Sequence, residues 1–207
     1  MGILKRIKSW IRRPRRYWQL FWRIIRIQPR KIMEIGTWTG DRARTMITLA
    51  QRYHGKEEID YYGFDLFGHM TTEQFAQEKS KWPPTQQEAY TKLIATGAHI
   101  HLFQGDTMNT LPEAIKQLPK MDFIFIDGGH SLETIANDWH WTSQLMDEKT
   151  EVILDDYWLD RTDAGCKVTV DGINQDIYAV TLWPLTDTFR KTNFGPLKIK
   201  LAHVRKR

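Results

Sequence analysis

Residues 31–40 read Lys31-Ile32-Met33-Glu34-Ile35-Gly36-Thr37-Trp38-Thr39-Gly40, an apolar run that stops at one glycine and meets a second four residues later. Ninety residues on, Met121-Asp122-Phe123-Ile124-Phe125-Ile126-Asp127 repeats the motif of a short apolar run ending in a turn, here Gly128-Gly129-His130-Ser131. Strands that are apolar almost throughout are buried on both faces, which is the condition of a parallel sheet covered by helices. Between and beyond these runs the spacing predicts strands over 61–65, 99–103, 151–154, 177–183 and 197–204. Helices are predicted over 40–53, 111–118, 131–146 and 168–175, with a partly helical stretch over 71–97 broken at Trp82-Pro83-Pro84. The expected fold is a doubly wound α/β domain: a mostly parallel, seven-stranded, Rossmann-like sheet closed by a C-terminal antiparallel hairpin that turns around Asn193-Phe194-Gly195-Pro196.

The 207 residues suit one domain, and the single cysteine, Cys166, excludes an internal disulfide framework, a CxxC redox site and a cysteine-rich zinc site. A reducing, cytoplasmic setting is the simplest expectation. The net charge of +5 hides an asymmetry. Residues 1–31 carry eleven Lys or Arg and no acid, and the last ten residues carry five more. The remaining 32–197 hold fourteen basic and twenty-five acidic side chains, a net of −11, which argues against a uniformly basic nucleic-acid clamp.

Residues 1–28 are read as a basic, aromatic, amphipathic arm, and 29–207 as the domain. Ile3, Ile7, Trp10 and Ile11 share a helical face before Pro14, and Arg23 interrupts the apolar stretch 17–27, which is too short to span a bilayer. Two readings stand level: peripheral contact with an anionic membrane, such as an inner membrane surface, or a helix packed on the domain with its arginines in water. Self-association through the arm, giving a homo-oligomer, is a further alternative.

In doubly wound sheets ligands sit beyond the carboxyl ends of the strands, so the residues there carry the functional reading. Gly36 and Gly40 permit a tight turn that a ligand approaches at the backbone. Asp65 ends the second strand, where an acid takes both hydroxyls of a ribose, and Gln104-Gly105-Asp106-Thr107 ends the third, suited to an adenine edge. For Asp65 and Asp106 the alternative is a helix N-cap, the commoner fate of such residues. Asp127 and the pair Asp155-Asp156 follow the fourth and fifth strands, and three carboxylates gathered there would call for a cation such as Mg²⁺.

Glu34 to Gly40 has the form E-x-G-x-x-x-G, and over residues 30–204 the chain resembles the class I S-adenosylmethionine-dependent methyltransferases. Ile126-Asp127-Gly128-Gly129-His130-Ser131 and Ile153-Leu154-Asp155-Asp156-Tyr157-Trp158 resemble the paired signatures of the macrocin-type O-methyltransferases of sugars and small molecules. The resemblance implies that Glu34, Gly36, Thr37 and Gly40 line the methionine end of the cofactor. It implies that Asp65 holds the ribose, that Asp106 and Thr107 hold the adenine, and that Asp127 borders the cofactor. It further implies that Asp127, Asp155 and Asp156 bind Mg²⁺ or another divalent cation, with His130 and Asp127 catalytic and His130 as the base. The implied reaction is methyl transfer to a hydroxyl of a small molecule, sugar or glycan. Phe67, Trp82, Tyr157 and Trp158 are candidate acceptor contacts. A metal-independent enzyme of the same fold, acting on oxygen or nitrogen, and a catalytically silent docking module remain the alternatives.

Overall fold

A computed structural model of the protein describes residues 14–78 and 82–207. Within them the chain builds β1 (Lys31–Ile35), β2 (Asp60–Asp65), β3 (His99–Gln104), β4 (Phe123–Ile126), β5 (Glu151–Trp158), β6 (Tyr178–Leu182), β7 (Asp187–Phe189) and β8 (Leu197–Lys206). The main helices are α1 (Arg16–Ile27), α2 (Asp41–Ala50), α3 (Thr72–Glu78), α4 (Gln86–Ile94), α5 (Thr107–Ala114), α6 (Leu132–Thr142) and α7 (Lys167–Asp171). The strands form one sheet in the order β3-β2-β1-β4-β5-β8-β6, with β7 pairing β8. The first five are parallel, and β8 runs antiparallel to β5, β6 and β7. The expected doubly wound fold is present, with one strand more than the seven expected.

Alternation along the central strands assigns side chains to two cores, because successive residues of a strand point to opposite faces. Met33, Ile35, Ile124, Ile126, Val152 and Leu154 pack with Leu111 and Ile135 on one face. Ile32, Phe123, Phe125 and Ile153 pack with Ala43, Met46 and Ile47 of α2 on the other, together with Leu20, Phe21 and Ile24 of α1. Helix α1 is therefore built into the domain. Burying three such side chains is worth roughly 5–9 kcal/mol at 1.5–3 kcal/mol each, as large as the whole net stability of many domains. Gln28 ends α1 in a left-handed cap (φ 52°), its N–H donating to Ile24 O, just before Pro29. The first thirteen residues of the expected arm lie outside the described residues.

Two local differences from the sequence reading bear on the site. Helix α5 starts at Thr107, four residues before the expected Leu111, because the Asp106 side chain accepts the Met108 N–H at 2.9 Å and caps it. Strand β5 runs on past Leu154 to Trp158, with a register shift against β8 between Leu154 and Tyr157 and a positive φ of 57° at Asp156. Asp155 and Asp156 thus sit inside a β-bulge, which re-aims their side chains at the end of the sheet.

Candidate active site

A cleft of about 620 Å³ opens over the carboxyl ends of the parallel strands, well within the size range of small-molecule sites. Its floor is Gly36, Asp65, Asp127 and Gly128, and its far wall is the segment Thr192–Phe194 with Phe189. Arg16 and Tyr17 of α1 and Arg42 of α2 close one side.

The glycine turn is built by close approach. Gly36 has φ +88°, and a Cβ added there would lie 2.0 Å from the Asp127 carbonyl oxygen, so no other residue fits. Gly40, at φ +71°, occupies the N-cap of α2 with its N–H on Thr37 O at 2.9 Å. Asp65 accepts the Trp38 N–H at 2.7 Å and the Phe67 N–H at 3.0 Å, and burial pushes its carboxyl above the usual range. Asp106 is both a helix cap and part of the cleft lining, its second oxygen accepting from Gln74 Nε2 at 2.9 Å. Asp138, on the inner side of α6, is fully buried. Asp138 borders the cleft, its Oδ2 has no hydrogen-bond partner among the described residues, and burial pushes its carboxyl up to about 7. An orphaned buried acceptor is costly unless a ligand satisfies it. This end of the cleft thus offers three acidic side chains to a ligand rich in hydroxyl and amine donors, as a nucleoside is.

The other end gathers acids and cations. Arg16 is buried and grips Asp155 with two parallel bonds, Nε to Oδ1 at 2.7 Å and Nη2 to Oδ2 at 2.9 Å. Its Nη1 also pairs with Asp187 at 3.2 Å. Burial opposes the charge on Arg16, but the pull of Asp155 outweighs it and raises the guanidinium pKa. Asp155 Oδ1 additionally accepts the Asp156 N–H at 2.7 Å, and its Oδ2 accepts the Tyr17 hydroxyl at 2.6 Å. Four donors exhaust the roughly four lone-pair positions of a carboxylate. Arg42 bridges Glu34, at 3.1 Å from Nε, and Asp127.

His130 holds its Nδ1 2.8 Å from the Glu78 carbonyl and its Nε2 3.2 Å from Asp156 Oδ2. Burial alone would lower its pKa, but the Asp156 hydrogen bond and charge outweigh that and push it up to about 9. For Asp156 burial works the other way, and the bond from His130 overcomes it, holding the carboxyl at about 2. Trp158, Phe194 and His130 form an aromatic mouth, with ring centroids 4.7 Å apart for the first two and 5.3 Å for His130 and Phe194.

A family model described as a methyltransferase domain matches residues 33–157. The chain belongs to this methyltransferase family. Its fold is that of the class I S-adenosylmethionine-dependent methyltransferases, and solved structures agree. The O-methyltransferase TomG of Streptomyces achromogenes, involved in tomaymycin synthesis and solved with S-adenosylmethionine, superposes with a TM-score of 0.58 at 17% identity, covering 90% of this chain and 78% of that one. An O-methyltransferase of Bacillus cereus in complex with S-adenosylhomocysteine gives 0.58 at 14%, covering 90% and 79%. A calicheamicin methyltransferase gives 0.60 at 18%, covering 88% and 76%. No curated protein matches.

Of the residues expected at the cofactor, Gly36, Asp65, Asp106, Thr107 and Asp127 line the methyltransferase cleft. Glu34, Thr37 and Gly40 lie behind it. Glu34 is fully buried and receives the Tyr61 hydroxyl and Arg42, and Thr37 bonds Tyr61 at 3.0 Å, so both brace the turn from below. The expected metal set does not fit a cation. Asp127, Asp155 and Asp156 are brought to one end of the sheet, but arginine holds the first two and His130 the third. No group of three metal-ligating side chains occurs among the described residues. His130 lines the cleft as expected, yet as an imidazolium at neutral pH and not as the free base of ordinary pKa. Among the aromatic candidates, Trp158 reaches the cleft. Phe67 is core, the Tyr157 hydroxyl is spent on Asp171 at 2.7 Å, and Trp82 stacks on Phe75 outside the lining.

The sequence reading missed Arg16, Tyr17, Arg42, Asp138, Phe189 and Phe194. Arg42 carried a signal, in the first turn of the helix that follows the glycine turn. Arg16 carried none, since its partner stands 139 residues away.

Proposed function

We propose that the protein is an S-adenosylmethionine-dependent O-methyltransferase that acts on a hydroxyl of a small molecule or sugar. In this reading buried arginines do the neutralising work expected of a metal ion. The observation that carries the metal-free part is the saturation of Asp155 by Arg16, Tyr17 and its own neighbour's amide. Charges already compensated inside protein leave nothing for Mg²⁺ to stabilise, and displacing a buried bidentate arginine would strand a cation.

The bound cofactor supplies an electrophilic sulfonium methyl group. The chain's residues do the rest. Asp65, Asp106 and Asp138 accept hydrogen bonds at the nucleoside end, and the Gly36 turn admits the ligand against the backbone. Trp158 and Phe194 offer flat apolar surface to an acceptor ring, which fixes its orientation. His130, once neutral, takes the hydroxyl proton, and Asp156 stabilises the imidazolium that results. Alignment and deprotonation are the two contributions such a site makes.

The test is transfer of a labelled methyl group to a panel of sugars and phenols with EDTA present. Turnover that persists in EDTA and is unchanged by added Mg²⁺ is the expected result. Loss in EDTA with recovery on Mg²⁺ would overturn the arginine reading while leaving methyl transfer intact. Labelling of amines in preference to hydroxyls would overturn the acceptor assignment.

A further inference from the structure

His130 follows Gly128 and Gly129, two residues with no side chain to brace the turn that carries it. Its carbonyl takes the Gly165 N–H at 2.8 Å, and the rest of the support comes from Glu78, the last residue of α3. Glu78 is buried. Its Oε2 accepts the His130 N–H and, at 2.9 Å, the N–H of Ser131, the N-cap of α6. Its Oε1 accepts the Thr134 hydroxyl at 2.8 Å. A carboxylate so placed also suits the positive end of α6. The Glu78 carbonyl, last in its helix and without a partner there, lies 2.8 Å from His130 Nδ1. Gly129 leaves room for this arrangement, since a Cβ there would lie 2.7 Å from Glu78 Oε2.

We propose that Glu78 is the positioning residue of the site: it seats His130 so that the neutral ring keeps its proton on Nδ1 and leaves Nε2 free to accept one. The role rests on the reading of His130 as the base. A neutral imidazole has one proton, and here two acceptors compete for it, the Glu78 carbonyl at Nδ1 and Asp156 at Nε2. If Asp156 held it, Nε2 would be a donor and useless as a base. The Nδ1 contact is the shorter, 2.8 Å against 3.2 Å. Substitution cannot remove a carbonyl, but the Glu78 side chain determines where that carbonyl lies, by tying the end of α3 to the N–H groups of residues 130 and 131. Gln74, one turn earlier on α3, lines the same cleft and donates to Asp106 at 2.9 Å, so this helix spans from the nucleoside end to the base.

The test is nitrogen NMR of the full chain labelled with ¹⁵N-histidine, at a pH above the His130 titration, with the His130 signals assigned by their absence from H130Q. The native ring should carry its proton on Nδ1. In E78A the proton should move to Nε2, drawn there by Asp156. At the same pH kcat should fall about a hundredfold, the scale of a misplaced reacting group, while S-adenosylhomocysteine affinity stays within about threefold, because no cofactor contact is lost. E78Q should keep the Nδ1 proton and most of the turnover, since its amide oxygen still accepts both N–H groups and its NH2 donates to Thr134. G129A, whose methyl group takes the space of Oε2, should reproduce E78A from the other side of the contact, and serves in its place if E78A does not fold. A native proton on Nε2, an unchanged tautomer and kcat in E78A and G129A, or E78Q as impaired as E78A would overturn the proposal. Full kcat in H130Q would instead overturn the base reading, with the NMR result still deciding whether Glu78 sets the tautomer.

Discussion

Replacing Arg16 by methionine is expected to lower the unfolding free energy by about 3–5 kcal/mol, the cost of leaving a buried charge without its partner. Arg16 and Asp155 are almost wholly buried, and the two bonds between them join the first helix to the bulge of the central strand β5. Methionine keeps most of the length and apolar volume but supplies no donor, so Asp155 loses two of its four hydrogen bonds and Asp187 loses its ion pair. Converting Asp155 to asparagine in the same chain removes the stranded charge. R16M/D155N should therefore regain about 2 kcal/mol relative to R16M, a coupling of the size found for groups in direct contact. Urea unfolding of the four proteins measures this cycle. A loss below about 1 kcal/mol for R16M would mean that solvent or another cation satisfies Asp155, and the account of a permanently filled acid site would fail.

The second large effect concerns pH. With its pKa at about 9, His130 is neutral in only about 1% of molecules at pH 7. If it is the base, kcat/KM should rise close to tenfold per pH unit from pH 7, reach about fifty times its neutral value at pH 9, and level off above. H130Q should abolish that limb. A profile flat between pH 7 and 9, or a limb that survives H130Q, would assign the proton to another acceptor. Stability should move in the opposite sense. The folded pKa of His130 lies above the ordinary 6.5, so its contribution is complete below that value and is lost as pH rises through about 9. Asp156 is depressed from 3.8 to about 2, so its contribution is complete above 3.8 and disappears as pH falls through about 2. The pair therefore stabilises most between pH 4 and 6.5, where activity is lowest.

These two sites mark where the sequence was legible and where it was not. The parallel sheet and the glycine turn follow from local information: apolar runs over 31–35 and 121–127, glycines at 36 and 40, and acids placed at strand ends. The convergence of Asp127, Asp155 and Asp156 also followed, because adjacent parallel strands bring their ends together. Their partners did not. Carboxylates crowded by a parallel sheet must be neutralised, but whether by a metal or by arginine depends on which distant segment folds over them. Nothing in Arg15-Arg16-Tyr17, embedded among eleven basic residues, distinguishes the one guanidinium that turns inward. Its burial depends on Asp187, whose carboxylate accepts the Arg15 and Arg16 N–H groups at 2.8 and 3.0 Å and seats the start of α1 beside the bulge. Short β7, which begins at Asp187, is the strand that the apolar spacing did not reveal, being three residues long. His130 was found at its position but not in its protonation state, since that is set by the bulge that turns Asp156 towards it.

The central claim is that the cleft beyond β1, β2 and β4 receives a nucleoside sulfonium cofactor at the Gly36 turn, without a metal. Calorimetric titration of S-adenosylhomocysteine into the full chain in EDTA tests it most directly, with G36V alongside. The account predicts saturable one-to-one binding to the native chain, and no measurable binding to G36V, whose side chain would have to occupy the space of the Asp127 carbonyl. No binding to the native chain in EDTA, or equal binding to a folded G36V, would contradict it.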